Sequence, residues 1–135
     1  MAHRIDVIEG LAPTYSEKLY QAGIETTDDL LNMCSRIEGR DELAGRTGIN
    51  LDLLMKWCNV ADLFRIRGIG RQFSELLGAS GVMTVEDLRR QNANNLSDKL
   101  HEVNARRKYS KITPSPHVVQ RWIDQAKNLE LKLPH

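Results

Sequence analysis

The chain has 135 residues, 41% of them hydrophobic and 27% charged, with a net charge of +1 at pH 7. That length suits one ordinary domain or two small repeats sharing a core, and the 5% aromatic content leaves Leu, Ile, Val and Ala to fill it. No apolar stretch approaches a bilayer span and no apolar run follows a basic start, so neither a membrane segment nor a secretory leader is expected.

The first element is a short lead-in, Ile5 to Ile8, ending at the turn Gly10-Leu11-Ala12-Pro13. Pro13 suits an early helix position, where its missing N–H costs nothing. Tyr15, Leu19 and Ala22 make a helix face that Gly23 stops. Thr26, with Asp29 three residues on, is a capping pattern for a helix carrying Leu30, Leu31 and Met33. Glu38 to Arg46 reads as a further helix, with Leu43 and Ala44 inward, ending near Thr47-Gly48. Asn50 caps the most apolar helix, Leu51 to Phe64. Leu51, Leu54, Cys58 and Ala61 form one stripe of it, with Leu53, Trp57, Val60 and Phe64 beside them. Trp57 is expected in the core.

A second turn, Arg67-Gly68-Ile69-Gly70-Arg71, opens the later part of the chain. Gly81 and Thr84 repeat the earlier stop and cap. Leu96, Leu100 and Val103 mark a helix capped near Asn95 or Ser97. The basic run Arg106-Arg107-Lys108-Tyr109-Ser110-Lys111 interrupts the pattern. Ser115-Pro116 then starts a last helix with Val118, Val119, Trp122, Ile123, Ala126 and Leu129 inward. Leu131 to His135 reads as a frayed tail. No segment has the period-2 alternation of a strand. The expected fold is all-α, with about eight helices.

Two stretches repeat. Ile8 to Leu30 aligns with Ile66 to Leu88 at a constant offset of 58 residues, and nine of the 23 aligned pairs are identical. They include Gly10/Gly68, Ser16/Ser74, Gly23/Gly81, Thr26/Thr84 and Asp29/Asp87. Trp57 and Ala61 match Trp122 and Ala126 at an offset of 65, which places seven extra residues around the basic run. The Gly-hydrophobic-small turn followed by Ser16 or Ser74 resembles the helix-hairpin-helix motif. Two copies, each with Gly-hydrophobic-x-Thr-x-(Asp/Glu)-Asp-Leu behind it, resemble the tandem helix-hairpin-helix family filed as domain of unknown function 4332. That resemblance spans nearly the whole chain. It implies two helix-hairpin-helix-like repeats, 1–62 and 63–135, packed as one compact helical domain with a shared core. It implies no activity, because a fold does not fix a function.

Little in the sequence points to catalysis, and no enzyme, cofactor or metal site is expected. His3, His101, His117 and His135 are scattered, and His101-Glu102 lacks the second His of a zinc-protease helix. Ser16 and Ser74 fill small-residue packing slots without a His or Asp partner. Cys34 and Cys58 are too few for a disulfide framework or zinc ribbon, and are expected as buried free thiols in a reducing cytoplasm.

Binding chemistry is better represented. In the second turn, Gly68 and Gly70 are expected to allow a tight bend that a side chain would block, exposing N–H groups at a helix start. With Arg67 and Arg71 at its flanks, this turn suits a phosphate. The first turn has Glu9 for Arg67, Ala12 for Gly70 and Pro13 for Arg71, so it is expected only to pack. Arg65 adds charge nearby, as do Arg89 and Arg90. Arg106, Arg107, Lys108 and Lys111 surround Tyr109, an arrangement suited to single-stranded or backbone contacts, although a solvated loop is the plainer account.

Charge is split between the repeats. Residues 1–62 hold 6 Lys+Arg against 11 Asp+Glu, and residues 63–135 hold 13 against 7. A basic half points to an anionic partner, DNA or RNA, and the split equally suits a protein partner or self-association into a homo-oligomer. The leading expectation is a non-catalytic module binding nucleic-acid backbone without sequence preference. Its site would be Arg67, Gly68, Ile69, Gly70 and Arg71, helped by Arg65, Arg106, Arg107, Lys108 and Lys111. The alternative is a protein-interaction module.

Overall fold

The computed structural model describes residues 3–134 as an all-α protein with eight α-helices and, among those residues, no strand beyond one isolated bridge between Arg4 and Thr26. His135, and with it the end of the expected frayed tail, lies outside the described residues. The chain divides into two compact units, Met1–Asp62 with Lys132–His135, and Leu63–Leu131.

The first unit begins with a short 3-10 turn, Ile5–Val7, followed by α1 (Pro13–Gln21), α2 (Thr27–Cys34), α3 (Ile37–Thr47) and α4 (Leu51–Leu63). The lead-in is held by backbone bonds, Ile5 N–H donating to Glu25 C=O at 3.1 Å and Thr27 N–H to His3 C=O at 2.7 Å. Thr26 caps α2 as its spacing to Asp29 predicts. Its hydroxyl accepts from the Asp29 amide at 3.0 Å, and the Asp29 carboxylate accepts from the Thr26 amide at 3.1 Å. Such a cap is worth about 1 kcal/mol. Ile5, Ile8, Leu19, Leu30, Leu31, Leu43 and Leu54 fill the core with Trp57, which is 1% exposed and meets Tyr15 edge-on at 5.2 Å. Leu51, the first residue of α4, departs from its expected stripe and is 39% exposed, while Leu54, Cys58 and Ala61 are buried.

The two cysteines also depart from expectation. Cys34, the last residue of α2, and Cys58, in α4, form a disulfide, with Cα atoms 6.3 Å apart and both side chains fully buried. Their sequence separation of 24 concealed this, because α3 turns the chain back between them. A buried Gly39 brings α3 against α2, and a Cβ there would come within 2.1 Å of the Met33 carbonyl oxygen. Paired in this way, the two cysteines no longer point to a reducing compartment.

The second unit holds α5 (Arg71–Ala79), α6 (Val85–Arg89), α7 (Ala93–Arg106) and α8 (Pro116–Asn128). Thr84 caps α6 by accepting from the Asp87 amide at 3.1 Å, and Ser115 caps α8 by accepting from the Val118 amide at 3.3 Å. Asn92, rather than Asn95 or Ser97, caps α7. Its Oδ1 accepts from the Asn95 amide at 3.0 Å, so the expected cap residue is instead the one being capped. Ser97 is buried and donates to the Pro114 carbonyl at 3.0 Å. Leu76, Leu77, Val85, Leu88, Leu96, Leu100, Val119, Trp122, Ile123 and Ala126 form one cluster. Phe73 leans on Trp122, with ring centroids 5.3 Å apart.

Replacing Trp57 by Ala is expected to cost about 3–5 kcal/mol, as large-to-small core changes do, read as a lower urea midpoint. Reducing Cys34–Cys58, or replacing both by Ser, is expected to cost about 3 kcal/mol from loop entropy alone. Melting curves with and without dithiothreitol measure it.

Candidate functional site

Four residues build the turn before α5. Gly68 has φ +96°, a left-handed conformation that suits glycine, and a Cβ on it would come within 3.0 Å of the Trp122 indole Nε1. Ile69 is buried and donates its amide to the Ile66 carbonyl at 3.2 Å. Gly70 is the N-cap of α5 and has no side chain to cap the helix. Gln125, on α8, grips the Arg67 peptide from both sides. Its Oε1 accepts from the Arg67 amide at 2.8 Å, and its Nε2 donates to the Arg67 carbonyl at 3.2 Å. The turn is therefore fixed to α8 through its backbone, while Arg67, Gly70 and Arg71 stay exposed.

This geometry corrects the reading of the two glycines. Gly70 has φ −115°, a conformation open to any residue, and nothing lies within 4 Å of a Cβ built on it. Only Gly68 is required by the bend. Ala12, the counterpart of Gly70, likewise takes an extended N-cap conformation (φ −66°, ψ 159°), so the first turn does not lack the freedom it was expected to lack. The difference that remains is chemical. The first turn begins its helix with Pro13, which has no N–H, where the second has Arg71.

The other expected site residues divide. Arg65 is half-buried and donates to the Glu130 carbonyl beyond the end of α8. Arg89 donates to the Ala126 carbonyl at 2.9 Å and the Leu129 carbonyl at 2.6 Å, placing positive charge at the carbonyl end of α8. Arg90 pairs with Glu86. Arg106 pairs with Glu102 one helical turn back, and the Arg107 guanidinium lies over the Tyr109 ring at 5.5 Å. Tyr109 is half-buried against the unit's core, with the Arg107 guanidinium over one face of its ring. The loop it belongs to is built rather than merely solvated. Asn104 Oδ1 accepts from the Tyr109 and Ser110 amides at 2.8 and 3.1 Å, and its Nδ2 donates to the Ser110 carbonyl at 3.0 Å. Lys108 and Lys111 line an open groove with His101, Ile112 and Thr113.

The turn and the basic loop are thus fixed by different residues, Gln125 and Asn104. Gln125 lies nine residues after Pro116, so roughly 14 Å of α8 runs between Gln125 and the helix start that follows the loop.

A family model covers residues 9–129. The chain belongs to the family described as domain of unknown function (DUF4332). No curated protein and no solved structure matches it. In this DUF4332 chain, sequence reasoning missed Gln125 and Asn104, the polar residues that fix the two basic segments. Each acts on backbone, and backbone partners leave no trace in a sequence pattern. Among the described residues no helix is long and apolar enough to cross a membrane.

The two glycines separate in a stability measurement. Gly68→Ala is expected to lower the urea midpoint by the equivalent of at least about 1 kcal/mol, through left-handed backbone and the indole contact. Gly70→Ala is expected to stay within about 0.5 kcal/mol of wild type.

Proposed function

We propose that this protein is a non-catalytic helix-hairpin-helix module that binds the backbone of DNA or RNA without reading its sequence. The observation that carries the reading is the latched turn. Arg67 and Arg71 stand exposed on either side of it, at the start of a helix that no side chain caps. The first turn of an α-helix leaves amides without intrahelical partners and carries the positive end of the helix dipole. A phosphate there meets N–H donors and two guanidinium groups together. Backbone contacts position a protein but carry no base information, so sequence preference is not expected. One hairpin with neighbouring cations neutralises about three to five phosphates, giving affinity on the order of micromolar or weaker at physiological salt.

Fluorescence anisotropy with a labelled mixed-sequence duplex tests this across a salt series. Arg67→Glu with Arg71→Glu is expected to nearly abolish binding and to flatten log affinity against log salt by about 0.7–0.9 for each phosphate no longer neutralised. Gly70→Ala leaves charge unchanged and the fold intact, and is expected to weaken binding by placing a methyl at the helix start. Arg106→Glu with Arg107→Glu is expected to cost far less. Equal losses from both arginine pairs, with Gly70→Ala silent, would reject a hairpin site.

A further inference from the structure

Beyond the hairpin, α8 offers a continuation of the same face. Trp122 lies beneath Gly68 and against Phe73, a residue in the first turn of α5, so α8 at this level runs directly alongside the turn. Gln125, three residues on, reaches the Arg67 peptide. Residues three and four apart share a helix face, so Arg121 stands one turn from Gln125 on the side that meets the hairpin, and His117 one turn further. Both are exposed. The nearest acid on the helix, Asp124, accepts a hydrogen bond from Gln120 Nε2 at 2.9 Å. Lys127 is also exposed on α8, but six residues from Arg121 it projects from a different side of the helix.

We infer that Arg121 is a second phosphate contact of the binding face and that Gln125 is the positioning residue that holds Arg67 in line with it. This rests on the backbone-binding reading above. One turn of α8 rises about 5.4 Å, so Arg121 stands about that far along the helix from the Gln125 side chain that holds the Arg67 peptide. Gln125 touches no phosphate. It fixes the peptide from which the Arg67 side chain projects, and its loss frees that side chain to sample other directions.

The test uses the full chain and the labelled duplex across a salt series. Arg121→Gln is expected to lower affinity about tenfold at 50 mM salt and to reduce the salt slope by about 0.9, the equivalent of one phosphate. Lys127→Gln, which removes the same charge from the same helix, is expected to change the slope by much less. Gln125→Ala is expected to weaken binding without altering charge, and to couple to Arg67. In the Gln125→Ala background, Arg67→Gln should cost clearly less than it does alone, which a merely structural role for Gln125 would not produce. Unchanged melting temperatures for Arg121→Gln and Lys127→Gln keep the comparison free of folding effects. If wild type binds through Arg67 and Arg71 but Arg121→Gln and Lys127→Gln behave alike, the extension along α8 is wrong and the hairpin site stands. Additive losses at Gln125 and Arg67 overturn the positioning role. A wild type that binds neither duplex DNA nor duplex RNA at low salt removes the underlying reading itself.

Discussion

The close approach of Gly68 to the indole of Trp122 is the constraint on which the second unit depends. With only 3.0 Å between an indole nitrogen and the place where a Cβ would sit, any side chain there would have to push the indole or the turn aside. Because the backbone can pass that close, α5 begins against the middle of α8. Phe73 then reaches Trp122, and Gln125 reaches the Arg67 peptide. Move the turn outward by the width of a methyl group and both contacts stretch. The first unit handles its own turn differently. Gly10 has φ +84° with nothing within 4 Å of a Cβ, so there the glycine answers to backbone conformation alone.

Several of the cations in the second unit are tied to structure. Arg65 and Arg89 close the carbonyl end of α8, and Arg90 and Arg106 sit in single-turn ion pairs. Exposed pairs of this kind contribute little to stability and are screened by salt. Arg89 differs, because its three hydrogen bonds go to two carbonyls at the C-terminal end of α8, where positive charge also meets the negative end of the helix dipole. A net charge count treats these side chains alike. Their geometry does not: Arg67 stands exposed on a peptide that Gln125 holds from both sides.

Local signals in the sequence translated directly. Thr26 and Thr84 cap helices because a hydroxyl and a carboxylate three residues apart meet the same first turn whatever surrounds them. The apolar stripe of α8 is buried as its spacing requires, with Trp122 2% exposed. What escaped the sequence depended on distance or on choosing among equivalents. Asn92, Asn94 and Asn95 are chemically interchangeable caps, and only the path of the chain selects Asn92. A Gly-x-Gly pattern does not say which glycine takes positive φ. The Cys34–Cys58 bond depends on α3 folding back, and the Gln125 latch joins residues 58 positions apart. Those are tertiary facts, and the residues involved look ordinary where they stand in the chain.

The reach of Arg89 has a consequence for how the protein is made. Its acceptors lie 37 and 40 residues downstream, and the partner of Arg67 lies 58 downstream, all of them on or just past α8. Non-local contacts of this kind form late, since the intervening loop must close before they reward it. During synthesis from the N-terminus, the turn at Gly68 leaves the ribosome long before the helix that holds it. The turn therefore stays without its latch until α8 has emerged, and a nascent chain acquires the paired geometry of Arg67 and α8 only then.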